Sequence, residues 1–152
     1  MNKIVAVFVL FAVLTVSVGC GQFIKNISNS LEDTPQPPPP KSTFTDLRDG
    51  KSYNSIKIGS RTWMAENLSL EGNDKYDWHD AMKVCPSGWH LPSERAWRDI
   101  MSISNISEYG FSSFDSWWTS TDKPGGFAFN WSGKNSNNVT QDRKYSVRCV
   151  QD

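Results

Sequence analysis

The residues of this 152-residue chain that could do chemistry are few. Two histidines, His79 and His90, and three cysteines, Cys20, Cys85 and Cys149, are the metal-ligating and nucleophilic candidates. A structural zinc site needs a full set of Cys and His ligands at close spacing, and a nucleophilic triad needs an exposed Ser or Cys beside a His. The spacing supplies neither, so we expect no metal site. We expect His90 to be a structural residue whose ring packs between aromatic side chains.

The acidic residues are the remaining candidates for catalysis. Acidic side chains occur between the aromatic segments, and a pair of them could catalyse hydrolysis. The candidates are Glu66, Glu71, Asp74, Asp77, Asp80 and Glu94. Their spacing matches no catalytic pattern, and we therefore predict a protein that is not an enzyme and has no cofactor.

The start of the chain has the features of an export signal. Lys3 precedes an uncharged, mostly apolar run over residues 4–18, which is shorter than the roughly 20 residues of a spanning helix and is typical of a secretory signal. The run ends in small residues before Cys20 and resembles a bacterial lipobox, with Ser17 where Leu is usual. We expect residues 1–20 to be a lipoprotein signal peptide, with Cys20 carrying the lipid that anchors the chain in the cell envelope, at the outer membrane. Cleavage without lipidation, which would give a secreted protein, is the alternative.

The other two cysteines predict a disulfide. Thiols of exported chains usually pair, and with Cys20 lipidated, Cys85 and Cys149 remain. Both fall on apolar faces, one at the end of a helical stripe and the other in an alternating strand pattern. A bond between them would close a loop of about 65 residues and stabilise the fold by about 4 kcal/mol. A redox role would need a second cysteine close by in the sequence, which the chain lacks.

The chain divides into three parts. Residues 21–42 contain five of the eight prolines, which favours a stiff polyproline II tether, although a disordered linker fits the same composition. Residues 43–152 contain all seven tryptophans, and large aromatic side chains can build a core from few residues. Lys3 is the only charged residue of the signal, so the mature chain keeps 15 basic and 16 acidic residues. Near-neutrality without charge blocks argues against a nucleic-acid partner.

The domain pattern predicts an α+β fold, with small antiparallel sheets, two short helices and long loops. Turn signals at 49–50 and 59–60 separate strands at 44–48, 51–58 and 61–65, with Ile56 opposite Trp63. Asp77 and Ser93 can cap two helices. Their apolar stripes are Trp78, Ala81, Met82 and Cys85 in the first helix, and Ala96, Trp97, Ile100 and Met101 in the second. Three aromatic strands follow at 116–120, 127–132 and 145–150, the last with Tyr145, Val147 and Cys149 on one face.

Four motifs in order, DGKSYNSIKIGSRTWMAENL, CPSGWHLPSERAW, WWTST and YSVRCV, resemble the Fibrobacter succinogenes major paralogous domain. This family consists of bacterial secreted and lipoprotein modules, and the resemblance covers residues 44–150. It implies a C-type lectin-like fold, related to formylglycine-generating enzymes, with a long disulfide from a helix to a late strand. It also implies a location in the cell envelope and a role in adhesion. The acidic Ca²⁺ loop of calcium-dependent lectins and the spare cysteine of the oxidising enzymes are absent from this sequence.

These features favour a non-catalytic binding module with a polysaccharide or an envelope protein as partner. The predicted contact face consists of Trp117, Trp118, Asn130, Trp131 and the polar loop 134–141. Successive strand residues point to opposite sides, so we expect only one of the two adjacent tryptophans to face the core. Two alternative functions remain. The protein could be a structural part of an envelope assembly without a small ligand or, less favoured, an enzyme related to the formylglycine-generating group.

Overall fold

Residues 40–112 and 114–152 are described by the computed structural model. The predicted signal peptide, Cys20 and nearly all of the tether lie outside the described residues. Within them the chain forms two antiparallel sheets and two α-helices, which agrees with the predicted α+β class. The strands are β1 (Lys41–Thr45), β2 (Ser52–Ile58), β3 (Arg61–Met64), β4 (Ser116–Lys123), β5 (Phe127–Ser132), β6 (Asn135–Thr140) and β7 (Val150–Gln151). The helices are α1 (Trp78–Ala81), α2 (Glu94–Met101) and a 3-10 helix (Ile106–Tyr109).

The first sheet has the order β1-β2-β3-β7. Its β2–β3 hairpin is as predicted, because Ile56 pairs with Trp63 and Gly59 takes the positive φ of the two-residue turn. The β1–β2 connection differs from the predicted two-residue turn. β1 begins inside the predicted tether, and the carboxylate of Asp46 binds Arg48 and holds a longer loop over residues 46–51.

Both helix caps are confirmed. Asp77 accepts from the backbone N–H of Asp80 at 3.0 Å, and Ser93 accepts from that of Ala96 at 3.2 Å. The first helix is shorter than its stripe predicted, since it ends at Ala81. Met82 is 43% exposed, so its predicted place in the core is wrong. Met82 still has helical backbone angles, but it is the C-cap of this one-turn helix and lies at the protein surface.

The second sheet has the order β4-β5-β6. The bounds of β5 match the prediction, but β6 lies within the segment that was predicted to be a polar loop. The predicted strand at 145–150 is mostly irregular, because its residues pair singly with different partners and only Val150 belongs to β7. No helix among the described residues has the length and apolarity to cross a membrane.

The core has two clusters of buried side chains. The disulfide cluster contains Cys149, Val147 and Trp118, with Tyr145 and Cys85 packed against it. The helix cluster consists of apolar side chains around α2, including Trp63, Ile56, Trp97, Ile100, Phe111, Trp117, Trp131 and Val150. Because Trp117 and Trp118 are consecutive in β4, they point to opposite faces and enter different clusters. β4 therefore has core on both sides.

Candidate functional site

The predicted disulfide is present in the structure. The Sγ atoms of Cys85 and Cys149 lie 2.16 Å apart, which is bonding distance. Cys149 is fully buried in the disulfide cluster. The bond joins the segment after α1 to the residue before β7 and fixes the C-terminal end of the domain against its middle.

The predicted contact face is wrong as an exposed surface. Its four named side chains are at most 3% exposed: Trp117, Trp118, Asn130 and Trp131. Burial is tolerated because the indole N–H groups find acceptors inside the protein. Trp117 Nε1 donates to Asn67 Oδ1 at 2.8 Å, and Trp118 Nε1 donates to the carbonyl of Tyr76 at 2.7 Å. These rings are part of the core and present no face to a sugar.

The histidines are on the surface. The side chain of His90 is 51% exposed, so the expectation that it packs between aromatic rings is wrong. Its backbone pairs with Val150, which turns the imidazole outward, where Nε2 lies 3.6 Å from the carboxylate of Asp152. His79 is also exposed. No group of three or more candidate metal ligands lies together within residues 40–112 and 114–152.

Three of the acidic candidates have structural contacts. Asp77 caps α1. Glu94 accepts hydrogen bonds from Ser136 of β6 and Arg98 of α2, and it connects these two elements. Glu66 accepts from the side chain of Asn54. Each of these contacts gives its carboxylate a structural role in the fold.

A polar network crosses the junction of the two core clusters. Lys75 Nζ donates to Ser146 Oγ at 2.8 Å, an atom pair that also occurs in serine–lysine hydrolases. Ser146 is only 1% exposed, however, so a substrate cannot reach its hydroxyl. Asn67 completes the network with its Nδ2 near Ser146 Oγ at 3.4 Å. The geometry therefore fits a structural role for the pair.

Arg148 is the central charge of this network and is 4% exposed. Its guanidinium donates to Asn67 Oδ1 at 2.9 Å and to the carbonyl of Gly110 at 2.7 Å. The charge lies 4.5 Å from the ring centre of Phe111 and 5.3 Å from that of Trp117, both within the range of cation–π attraction. Burial lowers the pKa of Arg148 to about 10. Arg148 thus ties the segment before β7 to the end of the 3-10 helix.

Next to this anchor lies a cleft of about 460 Å³, within the roughly 300–1,000 Å³ of small-molecule sites. We call it the serine cleft. It runs between the C-terminal end of α2, the 3-10 helix and the β5–β6 turn. Its lining residues are Met101, Ser102, Ile103, Ser104, Asn105, Ile106, Ser107, Phe111, Gly133 and Lys134.

Of the ten lining residues of the serine cleft, four have hydroxyl or amide side chains and four are apolar. A serine hydroxyl has one donor and two acceptor positions. Ser102 uses its donor on the carbonyl of Asp99 at 2.7 Å, and Ser104 and Ser107 are the other hydroxyl residues of the lining. Asn105 adds an amide and has the left-handed backbone (φ 61°) that asparagine tolerates better than most residues. Lys134 comes from the polar segment that was predicted to be part of the contact face. It is the one charged side chain among the described residues that line the cleft.

The apolar part of the lining comes from the helix cluster. Phe111 is 1% exposed and packs edge-on against Trp63 and Trp97, so its position is fixed by the core. The segment after α2 is rich in Ser and Asn, but its sequence does not predict a cleft. The missing information was the location of the β5–β6 turn, which brings Lys134 to the cleft across more than 25 residues of sequence.

No protein-family model and no curated protein matches this chain. Its function is therefore inferred from the sequence and from the geometry of the described residues.

Proposed function

We propose that the protein is a cell-envelope lipoprotein that displays a non-catalytic binding module, and that the ligand is a glycan bound in the serine cleft. The observation that carries this proposal is the composition of the lining. Hydroxyl and amide side chains line the cleft together with apolar ones. A saccharide has matching chemistry, because it offers many hydroxyls and one apolar ring face.

The proposal includes the lectin-like fold that the sequence resemblance implies. Two features support it. β7 from the end of the domain pairs with β3 from its first third, so the two ends of the domain meet in one sheet. The bond from Cys85 to Cys149 joins the segment after a helix to the residue before the last strand, which is close to the long disulfide that the resemblance implies.

The envelope location is supported by the signal-like segment 1–20 and by Cys20. We expect the mature chain from cells to begin at Cys20 and to carry two or more acyl chains, which suffice for stable membrane anchoring. Intact mass of the protein extracted from membranes measures the acyl groups directly. The Cys20→Ser variant cannot be acylated at this position, so we expect its mass to lack the acyl chains, whether or not the signal segment is cleaved. A wild-type chain without acyl groups would contradict the predicted lipid anchor.

Glycan binding is tested with the full chain on insoluble polysaccharides and on a panel of soluble oligosaccharides. Ser104→Ala and Ser107→Ala each remove one hydroxyl from the lining, and we expect each to weaken binding about five- to tenfold, as for one hydrogen bond. Ser87→Ala is the matched control, because Ser87 is exposed and lies outside the cleft.

The result that would contradict the proposed site is retention of full glycan affinity in the double variant Ser104→Ala, Ser107→Ala. Binding lost equally in Ser87→Ala would also exclude the cleft. Absence of any glycan binding by the folded wild-type protein would overturn the proposed ligand class.

A second candidate, docking of an envelope protein, is favoured by two exposed apolar side chains. Leu47 is 94% exposed and Phe114 is 95% exposed, so each presents a large apolar side chain that a protein partner could cover. We expect Leu47→Ser or Phe114→Ser to abolish a dominant crosslinked product in cells if this candidate is correct. Loss of the product in the cleft variants, with both apolar variants unaffected, would exclude it.

A further inference from the structure

The strand β6 is a free edge of the second sheet. It pairs with β5 over all six residues, Asn135–Thr140, and no other described strand lies on its outer side. Four of its six side chains are exposed, those of Asn135, Asn137, Asn138 and Thr140. An unpaired strand edge presents a row of backbone donors and acceptors that another strand can bind.

The register determines which backbone groups face outward. The two-residue turn pairs Ser132 with Asn135, and the N–H of Gln141 donates to the carbonyl of Gly126 at 3.1 Å. Residues of β6 that exchange hydrogen bonds with β5 therefore have odd numbers, since bonded and non-bonded pairs alternate in an antiparallel ladder. The N–H and C=O groups of Ser136 and Asn138 point away from β5 and have no backbone partner among the described residues.

The edge lacks the usual protections against pairing. Natural edge strands carry Lys, Pro or a bulge that prevents the approach of another strand. β6 contains no charged residue and no proline, and its pairing with β5 has no register shift. Such an edge is open to a regular strand partner.

We propose that β6 pairs antiparallel with β6 of a second copy of this chain, about a two-fold axis at Asn137. In this register Ser136 lies opposite Asn138 of the second copy. The outward groups of these residues then form four hydrogen bonds across the axis. The two three-stranded sheets become one six-stranded sheet.

The strand sequence is self-complementary in this register. Asn137 faces its own symmetry mate, and side-chain amides can donate to and accept from each other. Asn135 lies opposite Val139 of the second copy, so no like charges meet. Each copy uses its free β6 edge in the pairing, so the assembly closes as a dimer. The proposal is independent of the glycan site, because the pairing uses the outer edge of β6 and leaves the cleft residues Ser102–Ser107 unused.

A single cysteine tests the register directly. In a non-hydrogen-bonded pair the Cα atoms lie about 4.5 Å apart, within the range that a disulfide spans. We expect Asn137→Cys in the full chain to give a covalent dimer under mild oxidation. Asn135→Cys is the matched control, because its symmetry mate would lie about 13 Å away along the strand, and we expect it to stay uncrosslinked.

The second test uses the backbone. Asn138→Pro removes an outward N–H but no bond to β5, and proline is tolerated at edge positions of this kind. We expect it to raise the dimer dissociation constant at least tenfold in sedimentation equilibrium, since each copy loses a hydrogen bond. Asn138→Ala retains the N–H and is expected to keep the wild-type value.

A wild-type chain that stays monomeric at high concentration would overturn the proposal, as would equal crosslinking of Asn135→Cys and Asn137→Cys. Unchanged dimerisation of a folded Asn138→Pro variant would overturn the register. Glycan affinity measured on the same Asn138→Pro variant separates the two proposals, because we expect single-site affinity to be unchanged when the dimer is lost.

Discussion

Removal of the Cys85–Cys149 disulfide is expected to remove a large share of the stability of this domain. The perturbation is the double substitution Cys85→Ser, Cys149→Ser, which keeps the side chains small. The bonded cysteines are 64 residues apart in the sequence. A crosslink that closes a loop of this length lowers the entropy of the unfolded chain and stabilises the fold by about 4 kcal/mol.

This value is a large fraction of the total, because small domains unfold with about 5–15 kcal/mol. For a domain of this size, 1 kcal/mol corresponds to roughly 4 °C in melting temperature. We therefore expect the double variant to melt about 15 °C below the oxidised wild type. A second cost arises at Cys149, which is fully buried, because a serine hydroxyl there has to find a new partner.

The assay is thermal unfolding followed by circular dichroism, with guanidinium titration for the free energy. The double variant Cys85→Ala, Cys149→Ala is the matched control, since it lacks the bond without adding hydroxyls. Wild type with the disulfide reduced is expected to behave like the alanine variant. A loss below about 1 kcal/mol in all three samples, or two free thiols in native protein from the envelope, would refute the reasoning.

Three further predictions concern individual side chains. Gly110→Ala is expected to cost about 1–3 kcal/mol in unfolding free energy, because Gly110 has φ +86° and a Cβ there would lie 2.7 Å from the carbonyl oxygen of Ala65. Gly125→Ala is the control, since φ is +88° but no backbone atom is close, and we expect a smaller loss. Trp117→Ala is expected to cost about 3–5 kcal/mol, measured by denaturant titration, because the ring is fully buried and stacks on Trp97 at 5.0 Å. Hydrogen bonds from Arg48 hold the pKa of Asp46 below its usual 3.8, so the stabilisation is present above about pH 4 and is lost as the pH falls. Asp46→Asn is expected to flatten the fall in stability between about pH 4 and pH 2, and an unchanged slope would contradict this role.

Local sequence signals predicted the elements of the fold whose causes are local. Asp77 and Ser93 were recognisable caps because their side chains satisfy N–H groups only three residues away. The Gly59–Ser60 turn fixed the pairing of Ile56 with Trp63 through turn length alone. The disulfide was predicted from the expected export of the chain and from the apolar faces on which the sequence patterns place Cys85 and Cys149.

The errors lie where distant contacts decide the structure. β6 has a polar sequence that resembles a loop, and it is a strand because β5 provides a complete hydrogen-bonding partner. Asn130 and Trp131 looked like surface residues because the covering elements come from other parts of the chain. The serine cleft was unpredictable for the same reason, since Ser104 and Lys134 are brought together by the fold of two separate segments.

The burial of both Trp117 and Trp118 connects the disulfide to the candidate site. Two consecutive strand residues can both be buried only if both faces of the strand are covered, here by the disulfide cluster and the helix cluster. Arg148, adjacent to Cys149 in the sequence, binds the carbonyl of Gly110, and Gly110 immediately precedes Phe111 in the lining of the cleft. A shift of the segment before β7 after loss of the disulfide would therefore reach the cleft through Arg148, by its hydrogen bond to Gly110 and its contact with the Phe111 ring. If the cleft binds a glycan as proposed, reduction is expected to weaken this binding before it unfolds the first sheet, whose hairpin β2–β3 is held by its own short turn.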